Sequence, residues 1–124
     1  MLLNCDDDKF WGQHLILNCK ASANGAVLDK EKVCAFVDEL ITVIEMEKHG
    51  DIKIDRFGEG KLAGISFCQF IKTSSIVGHL CDESKDAYFD IFSCKTFHTS
   101  KVVECVQKWF DFELIQQVNL NRGV

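Results

Sequence analysis

Four side chains between Ser66 and Cys94 could do chemistry together. They are two hydroxyls (Ser66 and Ser74), an imidazole (His79) and a thiol (Cys94). A hydroxyl served by a nearby base is a nucleophile, and a thiol with a reference pKa of ~8.5 is a competent proton donor near neutral pH. Each also has a structural reading. Serines end strands, and a cysteine can simply fill a core. The chain has seven cysteines, an odd number, and no Cys-x-x-Cys. That argues against a disulfide framework or a zinc knuckle and for small buried hydrophobes in a reducing compartment. No two histidines share a ligand spacing on one element, so no metal site is expected. Gly58-Glu59-Gly60 lacks the later glycine and the following helix of a phosphate loop and reads as a turn.

The 124 residues suggest one domain, and 47% hydrophobic with 27% charged residues is the balance of a soluble globular protein. A net charge of −5 with scattered basic residues argues against a nucleic-acid partner. No apolar run approaches the ~20 residues of a membrane span. The acidic start, Met-Leu-Leu-Asn-Cys-Asp-Asp-Asp, does not resemble a signal peptide. A cytoplasmic location without membrane contact is the expectation.

The elements that must position these groups follow from periodicity. Residues 1 to 9 read as a loose lead-in, and Phe10 to Lys20 as a first strand with apolar character on both faces. Asp29 is a candidate N-cap for a helix running to about residue 48, with a stripe of Val33, Phe36, Val37, Leu40, Ile41 and Ile44 and a stop at Gly50. Strands follow at 51–57, 64–71, 75–81 and 86–94, with turns at 58–61 and 82–85. Thr99 or Ser100 would cap a second helix, striped by Val102, Val103, Val106, Trp109 and Phe110. A last strand covers 113–120. The order β-α-β-β-β-β-α-β predicts an α/β two-layer sandwich of the α+β kind, a mostly antiparallel sheet with two helices on one face. Its halves, β-α-β-β and β-β-α-β, mirror each other in order, though no sequence repeat supports a duplication.

Gly12-x-His14-Leu15, Arg56-Phe57, Ser66, Thr73-Ser74-x-Ile76-x-x-His79 and Ala87-Tyr88-Phe89-Asp90-Ile91-Phe92-Ser93-Cys94 follow one another in this order. This pattern resembles the short prokaryotic-type S-adenosylmethionine decarboxylase family, over nearly the whole chain to Arg122-Gly123. The resemblance implies a proenzyme that makes its own cofactor, a pyruvoyl group. Ser74 would attack the carbonyl before it, splitting the chain between Thr73 and Ser74. The resulting ketone would take the substrate amine as a Schiff base. By the same resemblance Ser66 and His79 assist processing, and Cys94 donates a proton in turnover. Phe57 stacks on adenine, and Glu83 matches a substrate-side acid. The family works in polyamine (spermidine) synthesis and assembles as dimers, so a homodimer of processed protomers is expected.

The chain departs from the family at two places. Thr73-Ser74-Ser75 stands where the family has Glu-Ser-His, leaving Ser75 as an alternative precursor. Leu80-Cys81-Asp82-Glu83 stands where it has Thr-Trp-Pro-Glu. The lost tryptophan keeps ornithine or arginine open as alternative substrates, and an unprocessed binding or regulatory subunit as an alternative role.

Overall fold

A computed structural model describes residues 10–124; the lead-in at 1–9, with Cys5, lies outside them. The strands are β1 (Gly12–Ser22), β2 (Lys53–Phe57), β3 (Gly64–Ile71), β4 (Ser74–Cys81), β5 (Ala87–Ser93) and β6 (Phe112–Arg122). The helices are α1 (Lys30–Val43), between β1 and β2, and α2 (Thr99–Phe110), between β5 and β6. The order is the one expected from the sequence. All six strands form one sheet, β2-β3-β4-β5-β1-β6, antiparallel at every pairing.

Alternation explains which side of each strand is covered. Leu15, Leu17, Ile65, Phe67, Ile76, Leu80, Phe89 and Ile91 turn to the helices and are buried. Phe36 of α1, Phe110 of α2 and Phe89 of β5 join the layers; the Phe36 and Phe110 rings meet edge-on at 4.8 Å and Phe36 lies 5.5 Å from Phe89. Gly78 leaves room for this packing, because a Cβ there would lie 2.3 Å from the Phe67 ring.

The helix ends differ from expectation. Asp29 does cap α1, its carboxylate accepting from the N–H groups of Glu31 (2.9 Å) and Lys32 (3.3 Å). The helix then stops at Val43, well before Gly50. Glu45 takes the left-handed conformation and donates to the Thr42 carbonyl, while Met46 donates to the Ile41 carbonyl. This is a Schellman ending with glutamate in the place usually held by glycine. It turns Ile44 and Met46 into the core, and that burial offsets the cost of a left-handed glutamate. At α2 the N-cap position is His98, not Thr99 or Ser100, and no side chain caps it.

Candidate functional site

The second face of the sheet presents two of the candidate groups. Ser66 on β3 and His79 on β4 are cross-strand partners, and alternation turns both away from the helices. Their side chains meet, Ser66 Oγ to His79 Nδ1 at 2.5 Å. A cavity of about 360 Å³ opens over them, bounded also by Asp55, Phe57, Tyr88 and Asp90. That is within the size of small-molecule sites. Phe57 is 58% exposed and Tyr88 46%, so both offer an aromatic face to a ligand. A second hollow on the far side of His79 reaches Cys81, Glu83 and Asp86. Burial pushes the Cys81 thiol up, with smaller contributions from its acidic neighbours. The acidic turn is half neutralised: Arg56 donates to the Asp82 carboxylate and to the Leu28 carbonyl at 2.7 Å. Glu83 remains exposed and makes no ion pair among the described residues.

Ser74 and Cys94 lie at the other end of the sheet. Ile71 and Ser74 pair across a hairpin closed by Lys72 and Thr73 alone. Ser74 also pairs with Ser93, and the Cys94 N–H donates to the Thr73 carbonyl at 3.0 Å. The carbonyl of the Thr73–Ser74 bond is thus held by β5 rather than left to water. Gly12 of β1 approaches the same point; a Cβ there would fall 2.5 Å from the Ser93 carbonyl oxygen and 3.0 Å from the Cys94 Cα. Only a glycine lets β1 close on the backbone of Cys94. Near this end of the open face Phe92 is ringed by Trp11 (5.4 Å), His14 (5.7 Å) and the Arg122 guanidinium (5.0 Å). His14 Nε2 in turn meets Asp90 at 2.9 Å.

The structure therefore brings Ser66 together with His79, and Cys94 together with the Thr73–Ser74 bond. It does not join the two sets within one protomer. Ser74 and His79 are five positions apart along β4, about 17 Å at ~3.3 Å per residue. By alternation Ser75, not Ser74, shares the open side with His79. Tyr88, Asp55 and Asp90 were not singled out from the sequence as site residues. Their signal was the strand period, which turns all three to the face of Ser66 and His79.

The family model described as S-adenosylmethionine decarboxylase matches residues 13–123. The chain belongs to this family. Its fold is also that of the adenosylmethionine decarboxylase from Aquifex aeolicus, with a TM-score of 0.77 at 16% identity over 94% of this chain and 93% of that one. No curated protein matches the sequence. Membership of the S-adenosylmethionine decarboxylase family thus rests on a match that runs from β1 to the end of β6. Among the described residues no helix is long and apolar enough to cross a membrane.

Proposed function

We propose that the chain is the proenzyme of a pyruvoyl-dependent S-adenosylmethionine decarboxylase, splitting itself between Thr73 and Ser74 and serving polyamine (spermidine) synthesis. The observation that carries this reading is the Cys94 N–H held 3.0 Å from the Thr73 carbonyl oxygen. A donor fixed on that oxygen stabilises the charge that develops when the carbonyl carbon is attacked. Attack by Ser74 Oγ turns the amide into an ester. Loss of the Ser74 α-proton then breaks its Cβ–Oγ bond and frees the Thr73 carboxylate. Water converts the dehydroalanine left at residue 74 to the ketone, releasing ammonia.

The fold accommodates such a group. Residues 74–81 stay paired on both sides, to β3 and to β5, so a new end at residue 74 remains anchored. The fragments 1–73 and 74–124 interleave, because β1 of the first lies between β5 and β6 of the second. A pyruvoyl group at residue 74 supplies an electron sink for loss of the substrate carboxylate. The Cys94 thiol holds the proton that the product carbon takes up. Phe57 and Tyr88 offer stacking surface for the adenine, and Glu83 an acceptor for ribose or a countercharge for the sulfonium.

The ~17 Å between Ser74 and His79 favours a reading in which one protomer's Ser66–His79 pair serves the Ser74 of another. The reading therefore includes a homodimer in which the pair from a second copy lies against each Thr73–Ser74 bond. The exposed apolar side chains of the open face support this: Phe57, Phe70, Val77, Tyr88, Leu114, Val118 and Leu120 all lie on it, each at least 39% exposed.

Intact-mass analysis together with release of CO₂ from carboxyl-labelled S-adenosylmethionine tests the proposal. Two chains meeting at 73/74, the second with a pyruvoyl end, and labelled CO₂ are expected. A chain that stays whole would return it to a binding or regulatory role. Cleavage after Ser74 would make Ser75 the precursor. CO₂ from ornithine or arginine but none from S-adenosylmethionine would overturn the substrate and leave the mechanism standing.

A further inference from the structure

Behind the Thr73–Ser74 bond, on the helix side of the sheet, lies a line of hydrogen bonds that neither the cavity nor the Ser66–His79 pair explains. The Lys95 N–H donates to Ser93 Oγ at 3.0 Å. Ser93 Oγ donates to Thr73 Oγ1 at 2.8 Å, and Thr73 Oγ1 donates to the Met46 sulfur at 3.3 Å. Ser93 is fully buried. Its position is set by pairing with Ser74 and Gln13 on its two sides, and Met46 is brought in by the early end of α1. Ser93 Oγ also lies 3.7 Å from the Met46 sulfur, so the two hydroxyls and the sulfur form one closed network in which each hydroxyl proton has a partner.

We infer that Ser93 is a positioning residue for the self-cleavage, acting through Thr73. The inference rests on the proposed cleavage between Thr73 and Ser74. Thr73 is the second residue of a two-residue turn, and neither Lys72 nor Thr73 has a positive φ. The turn is therefore not one of the twist-matched hairpin types that hold themselves in place. Without further contacts its carbonyl is free to rock away from Cys94. Ser93 removes that freedom. It holds the Thr73 side chain from the helix side, while the next residue of the same strand end, Cys94, holds the carbonyl by its N–H. Two adjacent residues thus grip Thr73 at two points and fix the plane of the carbonyl that Ser74 attacks. The same bonds keep the Thr73 hydroxyl engaged on the helix side of the turn. The step they serve is the first one: the Ser74 Oγ–Thr73 carbon bond forms, the Thr73 carbon–Ser74 nitrogen bond breaks, and the hydroxyl proton ends on the freed amine.

The test is a time course of chain splitting, read by intact mass after cell-free synthesis of the full chain. Ser93→Ala should split at least ~10-fold more slowly than the wild type, since a misplacement of about 1 Å can cost 10²-fold. Thr73→Val, which keeps the shape and removes the hydroxyl, should slow splitting by a similar factor, and the double variant by no more than either alone. Thr73→Ser keeps the hydroxyl and should restore the rate. Hydroxylamine, which cleaves an accumulated ester, should not speed splitting in Ser93→Ala, because the loss falls on ester formation. Should Ser93→Ala fail to fold, Thr73→Val and Thr73→Ser decide alone. A wild type that never splits at 73/74 would sink the proposed function and this inference with it. A wild type that splits while Ser93→Ala and Thr73→Val keep pace, or rescue of Ser93→Ala by hydroxylamine, would overturn this inference and leave the proposed function intact.

Discussion

At the β2 end of the open face the working groups are side chains: the Ser66 hydroxyl on the His79 imidazole, with the Phe57 and Tyr88 rings beside them. At the hairpin end they are largely backbone groups: a carbonyl held by the Cys94 N–H, and a glycine, Gly12, that lets β1 close on that point. One end has an imidazole and a cavity. The other has a carbonyl with a donor fixed on it but no imidazole among the groups holding it. Both ride on β4, so their separation is fixed by the strand's rise and not by any loop that could adjust. A rigid ladder can hold two half-sites accurately; in the proposed homodimer a second copy brings them together. An antiparallel sheet with one wet face usually carries polar residues there. The apolar side chains on this face are consistent with its being covered.

The largest effect available sharpens this comparison directly. Ser74→Ala should stay whole, and His79→Ala should split very slowly or not at all. If the half-sites belong to different protomers, coexpressing these two variants should restore splitting in the His79→Ala chain, because each mixed dimer has one site with both Ser74 and His79 intact. Intact mass distinguishes the two chains. No splitting in verified mixed dimers would mean that each protomer processes itself, and that β4 bends far more during processing than its ladder suggests.

The fold was largely legible because most of its strands alternate and its helices are striped; the element order needed nothing else. The end of α1 was not, since Glu45 occupies a left-handed position that sequence rules reserve for glycine or asparagine, and burial of Ile44 and Met46 decided the matter. The reactive side chains themselves, Ser66, Ser74, His79 and Cys94, were visible in the sequence. Their grouping was not. Ser74, His79 and Cys94 are close in sequence, but a strand converts five residues into ~17 Å, whereas a cross-strand register makes neighbours of Ser66 and His79 across thirteen positions. Backbone donors such as the Cys94 N–H have no sequence signature at all.

Turnover should separate from processing at Cys94. Cys94→Ala keeps the N–H that holds the Thr73 carbonyl, so it should still split, while losing ~10²- to 10⁴-fold in kcat as expected for removal of a general acid. Full activity in this variant would leave the thiol a packing role. Failure to split would mean that the side chain, and not only the N–H, belongs to the hairpin end.

Alkylation offers an independent view of the same thiol. Burial is the main reason that the Cys19 and Cys105 thiols are pushed up to about 12; Asp86 adds to it at Cys19, and at Cys105 the Glu39 carboxylate accepts the thiol's hydrogen bond. Both should resist iodoacetamide at pH 8, while half-exposed Cys34, Cys68 and Cys94 react. Among Cys19, Cys34, Cys68, Cys94 and Cys105, peptide mapping should therefore link inactivation to Cys34, Cys68 or Cys94. The two buried thiols also set an alkaline limit. The folded chain keeps their protons from about pH 9 to about 12 while the unfolded chain loses them, so unfolding free energy should fall as pH rises through that window. A flat stability profile there would mean that both thiols are far more open to water than their burial indicates.

The smallest expected effect concerns what the side-chain end binds. Phe57 is exposed on an edge strand, so its truncation removes little packing and should not disturb folding or splitting. If its ring stacks on adenine, Phe57→Ala should lose on the order of 1 kcal/mol of binding, about a fivefold rise in KM for S-adenosylmethionine. The stacking is present in ground state and transition state alike, so kcat should hardly change. Phe57→Tyr keeps the face and should behave as the wild type. The alternative substrates have no ring to stack, so any turnover of ornithine or arginine should ignore the substitution, whereas Glu83→Gln should weaken it by removing a countercharge for the side-chain cation. Asp82 would be a poor choice for that experiment, because its carboxylate is already taken by Arg56. A Phe57→Ala enzyme with unchanged KM for S-adenosylmethionine would shift adenine recognition to the Tyr88 ring across the same cavity, and Tyr88→Ala would then be the variant to carry the fivefold loss.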